Sequence, residues 1–267
     1  MASSLLASRS AIARLHTRSL LISKPRGAPL ARFGAIQARH SVKTSSSVFK
    51  NAQRRSFMSY GGGRGGVFAS PEGVVYALIG TNAVVAFMWA TAETPGQRMR
   101  MVTHFTTSAP HLDNGMYHTL LTSVFSHAQF NHFFVNMLGL YFFGREISYV
   151  LGPKRFLGLY LASGIISSWA AVQEQKKTHR MSLNLGASGA VNSITALSIL
   201  LYPQSTLLIF GIIPLPAWVA GTMFIGRDLY GWLDGSHDGI GHFAHLSGAA
   251  CGGLYYAYLR RNLRMFR

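Results

Sequence analysis

From residue 73 onward long apolar stretches recur along the chain, separated by more polar connections. The apolar stretches fall at about 73–92, 132–150, 156–172, 187–202, 205–225 and 242–259. Each is long enough, or nearly so, to cross ~30 Å of hydrocarbon as a helix. Backbone in lipid must satisfy its own hydrogen bonds, and the strict alternation of a barrel strand is not seen, so the pattern predicts helices. The third and fourth stretches, near 17 residues each, predict tilt or local thinning of the bilayer. Pro214 and Pro216 lie within the fifth and predict a kink there. Gly248 and Gly252 have the spacing that lets two helix backbones approach closely. The expected fold is an all-α membrane protein, a compact six-helix bundle over residues 73–259.

Composition agrees with this. Of the 267 residues 49% are hydrophobic and only 12% charged, against about 25% charged in soluble domains. Such an apolar chain is not intrinsically disordered. The single cysteine, Cys251, excludes a disulfide framework. A net charge of +17 suggests nucleic-acid binding until its distribution is read. Twelve of the 25 Lys and Arg residues precede residue 67, and no acid appears before Glu72. The basicity belongs to the N-terminus, so nucleic acid is not an expected partner. Residues 1–56, rich in Arg, Ser and Ala and free of acid, read as a mitochondrial targeting presequence, with a disordered basic tail as the alternative. Residues 57–72 read as a Gly-rich linker and 260–267 as a basic C-terminal tail.

Polar groups inside the apolar stretches carry the chemistry, because burying them in lipid is costly. His132 and Asn136 are one helical turn apart on the second stretch. Ser188 opens the fourth within Gly186-Ala187-Ser188-Gly189, and His245 lies early in the sixth. Six helices that alternate in direction bring the starts of the second, fourth and sixth to one leaflet, where these residues can converge. A serine hydroxyl beside a neutral histidine can attack a carbonyl, and His132 and Asn136 can donate to the developing oxyanion. No acid is expected to orient His245, which makes the pair a dyad. Other readings remain: Gly-x-Ser-Gly as a packing motif, His245 as a core histidine, and His132 with Asn136 as interhelical glue. Metal binding by His242 with His245, or His127 with His132, lacks an accompanying carboxylate or cysteine, so no metal is expected.

The segments His127-Ala-Gln-Phe-Asn-His132-Phe-Phe-Val-Asn136, Gly186-Ala-Ser188-Gly189 and Ala244-His245-Leu-Ser-Gly248-Ala-Ala-Cys-Gly252 together resemble the rhomboid intramembrane serine proteases. Thr107-Ser108, Phe125-Ser126-His127 and Tyr160-Leu-Ala-Ser-Gly164 resemble the mitochondrial, presenilin-associated branch. The resemblance implies a six-transmembrane-helix rhomboid bundle with Ser188 as nucleophile and His245 as base. It implies an oxyanion hole of His132, Asn136 and the Ser188 backbone N–H. It also implies cleavage of single-span membrane proteins at the bilayer of the mitochondrial inner membrane, without a cofactor. Where bacterial members place an aromatic residue four positions after the nucleophile, this chain has Asn192. A catalytically silent rhomboid-like protein that binds membrane helices is the alternative. A small transporter would show two matching internal repeats, and none is seen.

Overall fold

The computed structural model describes residues 66–179, 181–209, 212–235 and 241–264. The described part is mostly helical. Helix α1 (Pro71–Ala90) starts with Pro71 in its first turn and the Ser70 hydroxyl accepting from the Gly73 N–H at 2.9 Å. Three short helices follow: α2 (Pro95–Phe105), α3 (Ala109–Asp113) and α4 (Thr119–Thr122). A continuous helical rod then runs from α5 (Phe130–Gly139) through a wide turn at Leu140–Gly144 into α6 (Arg145–Leu151). The chain reverses at Gly152, whose φ of +77° favours glycine, and Pro153 opens α7 (Pro153–Thr178). Next come α8 (Ser188–Leu201), strands β1 (Thr206–Ile209) and β2 (Ile213–Pro216), α9 (Ala217–Asp234) and α10 (His242–Arg264).

Helix α8 lies at the centre. Gly189, Ala190, Val191, Ser193, Ile194, Leu197 and Ser198 are buried on it, so it is enclosed on most sides. Its buried side chains share one cluster with Leu140 and Ile147 of the central rod and Phe156 and Tyr160 of α7, which Val74 and Leu78 of α1 join. The α8–α10 contact is the tightest the sequence foreshadowed. A methyl at Gly248 would sit 2.1 Å from the Gly189 carbonyl oxygen, and one at Gly252 would sit 2.2 Å from that of Ser193. Glycine at both positions lets the two backbones touch.

The outward faces are apolar as well. Val84 and Phe87 of α1, Val135 of α5, Trp169 of α7, Met223 of α9 and Leu254 of α10 are exposed. An apolar surface spread over so many helices suits a lipid surround. Among the described residues two helices, α1 and α7, qualify as membrane spans by length and hydropathy, and α8 is a shorter apolar helix.

Several expectations are corrected. The stretch at 205–225 is not one kinked helix. Thr206, Ile209, Ile212 and Ile213 favour extended backbone, and the prolines remove helical N–H donors, so a hairpin forms first. Pro214 and Pro216 lie in β2, paired across from Leu208 and Thr206, and α9 begins only at Ala217. The third helix is 26 residues long, because its polar last turn, including Gln175, Lys176 and Lys177, continues the helix. Most of the expected linker and the whole expected presequence lie outside the described residues. Within the linker, Val67–Ala69 form a 3₁₀ turn and Pro71 already starts α1. Helix α10 extends into the expected tail, to Arg264.

Candidate active site

Ser188 is the first residue of α8, and the segment before it is held from several directions. Thr107 and Asn184 exchange both backbone hydrogen bonds at 2.8 Å, and the Gly186 N–H reaches the Ser123 carbonyl at 2.9 Å. Gln175 of α7 donates to the Ser182 carbonyl at 2.9 Å. The Ala187 N–H donates to Nε2 of the buried His127 at 3.3 Å. The approach to Ser188 is therefore pinned by backbone and buried polar groups of the segment between α1 and α5. Gly186 adopts φ +128°, and a Cβ there would lie 2.5 Å from the His132 ring. Glycine at 186 thus satisfies an unusual backbone conformation and admits the imidazole of His132 against this loop.

Opposite Ser188, the close α8–α10 packing brings in His245. Its Nε2 lies 2.9 Å from Ser188 Oγ, and its Nδ1 lies 3.2 Å from Asp228 Oδ1. The same carboxylate oxygen lies 2.8 Å from Nδ1 of His242. A carboxylate ion only accepts, so both Nδ1 atoms carry hydrogens and His245 Nε2 is left as the acceptor for the Ser188 hydroxyl. That is the tautomer a general base requires. The first N–H groups of α8, that of Ser188 included, have no intrahelical acceptor and point out of the helix's positive end, where an anion is stabilised.

The structure brings Ser188 and His245 into hydrogen-bond contact and sets His132 against the Gly186 loop. Asn136 is buried one turn further along α5 and donates to the His132 carbonyl at 2.8 Å. That bond uses one of its two amide hydrogens.

The expected absence of an acid beside His245 is corrected by Asp228, and with it the statement that no carboxylate accompanies His242 and His245. An apolar stretch that ends at 225 leaves Asp228 beyond the fifth helix. With α9 starting at Ala217, it lies three turns inside that helix. Ala217, Ala220, Gly221, Asp228 and Gly231 are the buried positions of α9. Small residues at helical spacing with one aspartate in register were a legible signal, hidden by the assumption that the apolar run was a single helix.

Comparison with known proteins adds a second line. Residues 114–262 match the family model of the Rhomboid domain. The chain is 36% identical over 210 residues to RHOMBOID-like protein 12, mitochondrial, of Arabidopsis thaliana, covering 72% of this chain and 60% of that protein. It is 33% identical over 208 residues to Rhomboid-like protein 16, chloroplastic, of Arabidopsis thaliana, covering 72% and 62%. It is 30% identical over 187 residues to Presenilin-associated rhomboid-like protein, mitochondrial, of Homo sapiens, covering 69% and 48%. The chain thus spans less than two thirds of the length of these curated relatives.

Proposed function

Because the chain belongs to the rhomboid family, we propose that it is an intramembrane serine endopeptidase acting on single-span membrane proteins. The observation that carries the reading is the 2.9 Å contact between Ser188 Oγ and a His245 whose other nitrogen faces a carboxylate. In the proposed reaction His245 Nε2 takes the hydroxyl proton as Ser188 Oγ bonds to the scissile carbonyl carbon. The oxyanion accepts hydrogen bonds from the Ser188 N–H, His132 and Asn136. As the peptide C–N bond breaks, His245 returns the proton to the leaving amine, leaving an acyl-enzyme. Water attacks the ester, giving a proton to His245, which passes it to Ser188 Oγ as the acyl C–O bond breaks and the carboxylic acid departs. Asp228 orients His245 and offsets the charge of the transient imidazolium without itself being protonated.

Six membrane spans are proposed: α1, the α5–α6 rod, α7, α8, α9 and α10. At 14 residues α8 extends only about 21 Å, short of the ~30 Å hydrocarbon layer. Its N-terminal serine is thereby recessed below the membrane surface, where hydrolysis needs a pocket open to water on one side. A catalytically silent binding protein has no need of a matched Ser188–His245–Asp228 arrangement.

The proposed location is the mitochondrial inner membrane. It rests on the composition of residues 1–56 and on the names of two of the relatives above. The proposed orientation puts the catalytic side toward the intermembrane space, with basic Lys154, Arg155, Arg260 and Arg261 on the matrix side. Lys176 and Lys177 run against that charge bias, but they occupy the last turn of α7, where cations are favoured, and Lys176 pairs with Asp113. The test of the chemistry is covalent. A fluorophosphonate should form an adduct located on Ser188 by mass spectrometry, and His245→Ala should suppress it. No adduct on the folded wild type overturns the reading.

A further inference from the structure

Helix α9 is weakly anchored. Its buried positions are small residues and Asp228, while Met223, Phe224, Ile225, Leu229, Tyr230 and Leu233 are exposed. Large buried side chains do not lock its rotation, yet it carries the acid that must meet His245. The position of the Asp228 carboxylate therefore depends on polar contacts. Among the described residues its neighbours within reach are His242 and His245 of α10 and Arg227 of its own helix, whose Nη1 lies 3.9 Å from Oδ1. Arg227 is largely exposed and reaches that oxygen only at this longer distance. His242, 5% exposed, holds the same oxygen from inside at 2.8 Å, the shorter of the two histidine contacts.

The fold makes room for this ring. A Cβ at Gly231, one turn after Asp228 on α9, would lie 2.3 Å from His242 Nε2. His242 and His245 stand three apart on α10, so they share a face and meet one carboxylate. On the outer flank the Phe243 ring packs on Trp232 of α9, at 5.3 Å between centroids.

We propose that His242 is a positioning residue, which holds the Asp228 carboxylate in line with His245 Nδ1. The inference rests on the protease reading and extends it by one residue. His242 does not touch the serine or the scissile bond. Its contact is to Asp228, so its loss acts on turnover through the placement of the base.

The test measures kcat and KM for cleavage of a transmembrane reporter by the full chain in proteoliposomes. The variants are His242→Ala, His242→Asn and Gly231→Ala. Asparagine places an amide N–H where Nδ1–H stood, whereas alanine at 231 leaves His242 intact but displaces its ring. His242→Ala and Gly231→Ala should each lower kcat about tenfold with KM unchanged, as expected for one lost hydrogen bond. His242→Asn should recover most of the rate. A merely structural histidine would give parallel losses in melting temperature and no rescue by asparagine. Wild-type kcat in folded His242→Ala, or no recovery in folded His242→Asn, overturns the positioning role while leaving the protease reading intact. A wild type that does not cleave while Ser188 also resists the fluorophosphonate overturns both.

Discussion

Adding one methyl group at Gly248 should disable the site without altering any of its polar side chains. In Gly248→Ala the new Cβ would stand 2.1 Å from the Gly189 carbonyl oxygen, 2.8 Å from its carbon and 2.9 Å from its Cα. All three are backbone atoms of α8, so no side chain can rotate away. A carbon–oxygen contact needs about 3.3 Å, and α10 must therefore retreat from α8 by about 1 Å. His245 lies one turn before Gly248 on α10, and Ser188 immediately precedes Gly189 on α8. The same retreat stretches their 2.9 Å contact toward about 4 Å, beyond hydrogen-bond range. A displacement of that size costs roughly 10²-fold in turnover, and the overpacking costs about 1–3 kcal/mol of stability. Gly253→Ala is the control, since a Cβ there meets nothing within 4 Å and gains about 1 kcal/mol of helix propensity. Reporter cleavage and melting temperature are read on the same preparations. If Gly248→Ala cleaves at the wild-type rate well below its melting temperature, the close α8–α10 contact does not set the catalytic distance.

Other outcomes follow from the same geometry. Asp228→Asn should lower turnover by about 10²–10⁴-fold with little change in KM, because the amide no longer fixes the His245 tautomer. Unchanged turnover would remove Asp228 from the mechanism. His132→Ala and Asn136→Ala should each reduce turnover about 10²–10³-fold and leave residual cleavage, since the Ser188 N–H persists. Normal turnover in Asn136→Ala would mean that its bond to the His132 carbonyl is its whole role. A C-terminal tag should resist protease in intact mitoplasts, and its digestion there would reverse the proposed orientation.

How far the sequence was legible depended on whether local pattern or tertiary context set the outcome. The apolar periods located five of the long helical segments to within a few residues, since burial and lipid exposure both demand apolar side chains. Gly248 and Gly252 announced a close helix pair, and Ser188 and His245 fell at helix starts that the fold brings into contact. The run at 205–225 misled because hydropathy does not separate an apolar hairpin from a helix. There Pro214 and Pro216 were read as a kink when they marked strand β2. That single error moved Asp228 out of its helix and erased the partner of His245. The role of His127 was hidden differently. Its bond to the Ala187 N–H joins residues 60 apart, which no local spacing encodes.

The central claim is that Ser188 and His245 hydrolyse peptide bonds at the membrane. Its most direct test is cleavage of a single-span reporter by the purified full chain in proteoliposomes, with Ser188→Ala alongside. Wild type should release discrete reporter fragments and Ser188→Ala none, while Ser188→Ala keeps the wild-type melting temperature. Equal cleavage by the two proteins, or no cleavage by folded wild type of any single-span reporter in a panel of varied sequences, would contradict it.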